Sequence, residues 1–391
     1  MRIAFIGHKR IPSREGGVEV VVEELAVRMA ALGHQVVAYN RKGHNVAGSE
    51  FDNESNSSGA SYRYRGVTVI PVATIEGKGL AALTSSFAAT LKALRSRPDV
   101  IHYHAEGPCV PLLLAHWAGI RTVATIHGLD WQRAKWGRFA SMYLKLGERI
   151  AARYADEVIV LSRNVQQYFL ETYGREVHFI PNGIDRREPV EADVITRTYG
   201  LVKDGYILFL GRMVPEKGVH YLVEAFRRLD TDKKLVIAGG ASDSAEYYDR
   251  IRSMAEGDPR IILTGFVQGQ VLEELYSNAY LYVLPSDLEG MPMSLLEAMS
   301  YGNCCITSDI PECAEVIGDC GMTFRKGEVS DLADKIGELL KNSAGVQKIQ
   351  SHAGGYIIGK YSWGSVVNQT LALYSNSESM NGTTYSAESE K

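Results

Sequence analysis

Residues 1–40 read MRIAFIGHKRIPSREGGVEVVVEELAVRMAALGHQVVAYN, and this stretch decides the fold. RIAFIG is a short apolar run ending at Gly7 and reads as a buried first strand. From Val18 to Leu32 the apolar residues Val18, Val21, Val22, Leu25, Met29 and Leu32 recur at helical spacing, with Glu19, Glu23, Glu24 and Arg28 between them. Gly33 stops that helix, and QVVAY follows as the next strand.

The same alternation continues outward. VTVIPV, DVIHYH, RTVATIHG, EVIVLS and EVHFIP are further short strands with helical segments between several of them. The pattern pauses over PNGIDRREPV and restarts with YILFLGR, KLVIAGG, RIILTGF, LYVLPS and CCITSD, separated by helices such as Tyr221–Leu229 and Leu295–Tyr301. Strands alternating with helices predict parallel sheets covered on both faces. The restart predicts two doubly wound α/β domains: residues 1–187, then 188–362. A last helix over 363–376 and a disordered tail over 377–391 follow. Residues 43–61 are polar, with little to bury, and read as a mobile surface loop.

A chain of 391 residues exceeds what one compact core usually holds, in keeping with two domains. Net charge divides unevenly, +5 over residues 1–185 and −9 over the remainder, as for halves that face different partners. No apolar run reaches the roughly 20 residues that span a bilayer, and the N-terminal run is too short for a signal-peptide core. Five cysteines, Cys109, Cys304, Cys305, Cys313 and Cys320, form no CxxC pair, so reduced thiols and a cytoplasmic location are expected. No nucleic-acid partner is expected.

Four motifs sit where a ligand would collect, at the carboxyl ends of strands. In EGMPMSLLE, Glu289 and Glu297 flank the start of a helix, with Pro292 suited to its first turn. A carboxylate there can accept hydrogen bonds from ribose hydroxyls, although the pair also suits a solvated helix with an acid near its N-terminus. In GRMVPEKG, Arg212 and Lys217 lie in a Gly/Pro-bounded loop before a helix, an arrangement that can clamp a diphosphate or serve as a charged turn. Gly16 and Gly17 let a backbone approach a ligand closely, or make only a turn. A nicotinamide-type GxGxxG is absent, since residues 7–12 read GHKRIP. His127 ends a strand; alone it reads as a satisfied structural histidine, and at a cleft it can bond a sugar hydroxyl. His102 and His104 lack partners at metal-ligand spacing and read as structural. Asp230–Thr231–Asp232 looks like a metal-binding DxD but falls at the opposite sheet edge, so it reads as a turn, and no metal site is expected.

Taken in order, GGVE, HG, PNGID, GRMVPEKG, TGFV and EGMPMSLLEAMSYG resemble glycosyltransferase family 4, retaining enzymes of the GT-B fold. The opening stretch further resembles members that build bacterial surface polysaccharides, including rhamnosyl- and glucosyltransferases. The resemblance implies transfer of a hexosyl group from a nucleotide-diphosphate sugar to a hydroxyl acceptor, such as a lipid-linked saccharide. It implies that Glu297 holds the ribose, Glu289 contacts the donor sugar, and Arg212 and Lys217 neutralise the diphosphate. Gly16 and Gly17 would approach the phosphates, His127 would face the transferred sugar, Gly290 and Met291 would join Glu289 in binding the donor, and Phe266 and Val267 would border the base. Where many relatives carry Gly-Phe-Gly, this chain has Gly290, Met291 and Pro292, and proline has no N–H to donate to the sugar. No cofactor is implied. A nucleotide-sugar epimerase of the same architecture and a non-catalytic nucleotide-sugar-binding subunit are the alternatives.

One further segment is chemically distinctive. Residues 133–153 carry Arg133, Lys135, Arg138, Lys145, Arg149 and Arg153 against Glu148 alone, with Trp131, Trp136, Tyr143 and Leu144 interleaved. It reads either as a peripheral contact with anionic lipid at the inner membrane face or as a solvated helix beside the acceptor cleft.

Overall fold

The computed structural model describes residues 1–42, 60–75, 77, 79–133, 136–240 and 245–375. Most of the expected loop over 43–61 and the whole expected tail lie outside these residues.

Strands β1 (Arg2–Ile6), β2 (Gln35–Arg41), β3 (Tyr62–Tyr64), β4 (Val67–Val72), β5 (Val100–His104), β6 (Arg121–Ile126), β7 (Glu157–Val160) and β8 (His178–Phe179) form one sheet in the order β3-β4-β2-β1-β5-β6-β7-β8. All neighbours are parallel except the edge strand β3, which runs antiparallel to β4. A second sheet holds β9 (Tyr206–Leu210), β10 (Lys234–Ala238), β11 (Ile261–Gly265), β12 (Leu281–Leu284), β13 (Cys305–Ser308) and β14 (Gly321–Phe324), in the order β11-β10-β9-β12-β13-β14. It is parallel throughout.

The central strands read as continuous apolar runs because helices cover both their faces. Phe5, Ile101, Leu208, Phe209, Tyr282 and Val283 are accordingly buried. Two strands escaped the sequence reading. β3 is a three-residue edge, and β14 keeps three of its four residues only half-buried, so neither carries a strong apolar signal.

In each sheet the winding reverses once. The first reversal separates β1 from β5, and the second separates β9 from β12. Loops leaving the carboxyl ends of strands at a reversal diverge and open a crevice, which is where ligands bind in open α/β sheets. The loops after β1, β9 and β12 are the ones that carry Gly16, Arg212, Lys217 and Glu289.

The end of the chain ties the two sheets together. Helix Ser343–Lys360 packs on helix Met293–Ser300 beside the second sheet. After a bridge between Ser362 and Ile184, helix Trp363–Tyr374 lies against helix Gly17–Ala31 and β6. It is pinned there by Arg121, whose Nε donates to the Leu373 carbonyl at 2.9 Å, and by Tyr374, whose hydroxyl lies 2.6 Å from His102 Nδ1. All five cysteines are free. Among the described residues no helix is long and apolar enough to cross a membrane.

Candidate active site

The second sheet contributes most of the charge. Arg212 follows β9 directly, and Lys217 closes a single 3-10 turn before helix Val219–Arg227. Burial draws the Arg212 guanidinium below its ordinary value, and the neighbouring Arg133 adds to this. Lys217 Nζ donates to Glu289 Oε1 at 2.5 Å, and Ser286 Oγ donates to the same oxygen at 2.6 Å. The other carboxylate oxygen of Glu289 makes no hydrogen bond among the described residues.

Glu297 lies on helix Met293–Ser300, just over one turn from its start. Tyr276 donates its hydroxyl proton to Oε2 at 3.1 Å, and Arg14, from the loop after β1, approaches Oε1 at 3.8 Å. Burial raises the Glu297 carboxyl above the usual range, with Arg14 the chief opposing influence. Pro292 caps this helix from an extended conformation, one position earlier than expected, and its carbonyl accepts from the Leu295 N–H at 3.1 Å.

The two halves meet backbone to backbone. A Cβ at Gly290 would fall 1.5 Å from the His127 carbonyl oxygen, and one at Gly128 would fall 3.1 Å from Gly290 Cα. Any side chain at Gly290 would push the sheets apart. Gly17 makes a similar approach, since its Cβ would meet Met293 Cγ at 3.3 Å. Met291 is held from the connecting segment, because the Asn182 N–H donates to its sulfur at 3.0 Å.

His127 closes the site from the first sheet. Its Nε2 lies 2.9 Å from His104 Nδ1, and burial holds its pKa down at about 4, against the partly offsetting charges of Asp130 and Glu19. Glu19 is itself buried; burial pushes its carboxyl up, but the Lys9 charge and the Lys9 N–H, 3.0 Å away, leave it below the usual range. Phe266 lies against Gly240 at the carboxyl ends of β10 and β11, with Val267 next to it. The sequence-predicted residues Gly16, Gly17, His127, Arg212, Lys217, Glu289, Gly290, Met291 and Glu297 therefore all lie on loops or helix starts at strand carboxyl ends. Asp230 and Asp232 precede β10, at its amino end, as a turn should.

One expectation needs correcting. Arg133 does not face outward with the basic segment; it pairs with Asp130 at 2.7 Å and reaches within 3.9 Å of Glu216 on the second sheet's loop. The 3-10 turn Asp130–Gln132 brings it toward the second sheet's loop, and the Asp130 charge raises its pKa. Lys135 lies outside the described residues. The remaining cations, Arg138, Lys145, Arg149 and Arg153, are exposed on helix Arg138–Tyr154 as expected. Their apolar companions differ: Leu144 is buried and Trp131 donates its indole N–H to Glu148 at 3.0 Å, while Phe139 (89% exposed), Met142 (66%) and Leu146 face outward.

Sequence reasoning also missed Glu19, Ser286, Asn182 and Tyr276. Only Glu19, two residues after the paired glycines, carried a usable signal.

Two family models match the chain in succession: glycosyltransferase family 4 over residues 15–188, and glycosyl transferases group 1 over residues 204–342. The chain is a glycosyltransferase. Among its relatives is the alpha-maltose-1-phosphate synthase of Mycobacterium tuberculosis, 26% identical over 96% of this chain and 99% of that protein. An O-antigen chain mannosyltransferase of Escherichia coli is 29% identical over 48% of this chain and 50% of that one. The glycosyltransferase also superposes on Anabaena Alr3699/HepE, solved in complex with UDP and glucose, with a TM-score of 0.77 at 18% identity, covering 95% of this chain and 98% of that one. That likeness establishes the GT-B fold, two α/β domains built on predominantly parallel sheets.

Proposed function

We propose that this glycosyltransferase moves a hexosyl group from a nucleotide-diphosphate sugar to the hydroxyl of a saccharide acceptor, with retained anomeric configuration. The observation that carries this reading is the convergence of Arg212, Lys217, Glu289 and Glu297 at the winding reversal of the second sheet, opposite His127. Glu297 accepts hydrogen bonds from the ribose hydroxyls. Arg212 and Lys217 neutralise the diphosphate, whose negative charge grows as the glycosidic bond breaks. Glu289, with one oxygen engaged by Lys217 and Ser286, offers the other to a sugar hydroxyl. Gly17, with no side chain, lets the start of its helix pack on Met293, which brings the two sheets close around the phosphates.

Retention by double displacement requires a carboxylate on the face of the sugar opposite the leaving group. Asp130, the acid nearest His127 in sequence, is committed to Arg133, and Glu289 to Lys217. We therefore propose same-face substitution, in which a diphosphate oxygen takes the proton of the incoming hydroxyl. Two cations at the leaving group make a divalent ion unnecessary, so activity should persist in excess EDTA. The names of the relatives, a synthase and a mannosyltransferase, support transfer over epimerisation.

A lipid-linked acceptor and a peripheral membrane contact are the finer part of the proposal. Phe139, Met142 and Leu146 recur at helical spacing beside four exposed cations, which suits insertion into an anionic lipid surface. Assigning the product anomer by NMR tests the mechanism. An axial product from an axial donor is expected; an inverted product overturns it.

A further inference from the structure

His127 is one end of a line of buried rings. His102 is fixed at both nitrogens, by the Tyr374 hydroxyl at 2.6 Å and by Thr125 Oγ1 at 2.6 Å. The His104 ring packs against it at a tilt, with ring centroids 4.2 Å apart, and Phe5 packs near at 5.6 Å. His104 Nδ1 meets His127 Nε2 at 2.9 Å, while His104 Nε2 is sealed from water with no hydrogen-bond partner. His127 Nδ1 makes no hydrogen bond among the described residues.

Burial keeps both rings neutral, pushing His104 well below the usual histidine range and His127 down to about 4. A neutral imidazole has one N–H and one lone pair. The bond between the rings therefore needs its proton on one side only. If His127 Nε2 carried it, His104 would have to carry its own proton on Nε2, as a buried N–H with no acceptor. If His104 Nδ1 carries it, the unmatched atom is a lone pair instead. An orphaned buried N–H is the rarer and more costly of the two.

We propose that His104 donates Nδ1–H to His127 Nε2 and so fixes the tautomer of His127, leaving its Nδ1–H as a donor for an oxygen of the bound sugar. The importance of that donor rests on the reading above that His127 faces the transferred sugar; the tautomer itself does not. His104 is a positioning residue, acting through His127. The C-terminal helix, through Tyr374 and His102, holds His104 in place.

The test is a long-range proton–nitrogen correlation spectrum of the full chain, labelled with nitrogen-15 in histidine, at a pH well above both pKa values. His127 is assigned by its loss in His127→Asn. A pyrrole-like Nδ1 and a pyridine-like Nε2 at His127 are expected; the reverse pattern overturns the proposal without any activity assay. In His104→Asn the side-chain amide can still donate to Nε2, so the pattern should persist. In His104→Leu it should shift toward the other tautomer, and kcat should fall about tenfold with donor KM little changed, restored in His104→Asn. An unchanged His127 spectrum in His104→Leu would also overturn it. If the spectra agree and no nucleotide sugar is turned over by the wild type, the functional reading fails and the tautomer assignment stands.

Discussion

In the proposed function Glu297 holds the nucleoside, and its surroundings suit that role. A half-buried carboxylate bonded to Tyr276 and only loosely paired with Arg14 is costly to keep unless a ligand supplies further donors. With Glu297 holding the ribose as proposed, replacing it by Gln would remove two charge-assisted hydrogen bonds made in both the bound donor and the transition state. Donor KM should rise about tenfold, some 1.4 kcal/mol, with kcat within a factor of a few. Steady-state kinetics over a donor series measure this, and an unchanged KM would move the nucleoside elsewhere. Arg212, Lys217 and Glu289 were legible because each lies in the loop after a strand that the apolar runs mark, and Glu297 because it stands on the helix that this last loop begins. Arg133, Glu216 and His104 were not, because their partners arrive from other elements. His104 meets His127 from the neighbouring strand, and Arg133 meets Glu216 from the opposite sheet. No local spacing records such a meeting.

Helix Arg138–Tyr154 exposes Phe139, Met142 and Leu146 beside four cations, and this is the face proposed to meet anionic lipid. Each basic residue near an anionic surface contributes about 1 kcal/mol, fading within a Debye length of roughly 8 Å at physiological salt. The apolar residues add a contribution that salt does not screen. We expect sedimentation with anionic vesicles, weakened several-fold by Phe139→Ser with Met142→Ser. Unchanged binding in the double variant would remove the insertion face, and equal binding to neutral vesicles would remove the role of charge. The basic composition of this segment was plain in the sequence, but which apolar residues point outward was not. Leu144 and Leu146 differ only in the side of the helix on which they fall. The strands were easier to read, because strands buried on both faces are apolar throughout, whereas β3 and β14 at the sheet edges escaped for lack of that burial.

At the scale of the whole molecule, the buried histidines make stability depend on pH. His8 and His127 are pushed down to about 4 and His102 to about 3, each chiefly by burial, and His104 also falls well below its ordinary value. In the unfolded chain all four take up protons near their ordinary value of about 6.5, while the folded chain does not. Stability is therefore full above that value and is lost as pH falls toward the folded values. Two carboxyls work in the opposite direction: Glu297, and Glu106, which burial and the nearby Asp130 and Glu148 charges raise far above the usual range. Four histidines oppose two carboxyls, so the net effect is a loss of stability as pH falls below about 6. Urea midpoints at about pH 7.5 and 5.5 measure it. A midpoint that does not fall would mean that these histidines are charged in the fold. The proposed function places the diphosphate between the sheets, against Arg212 and Lys217. Calorimetric titration of a nucleoside diphosphate and the matching monophosphate into the wild type and the Arg212→Ala, Lys217→Ala double variant tests this directly. We expect the wild type to prefer the diphosphate at least tenfold and the variant to lose that preference; a preference that survives in the variant would contradict the account.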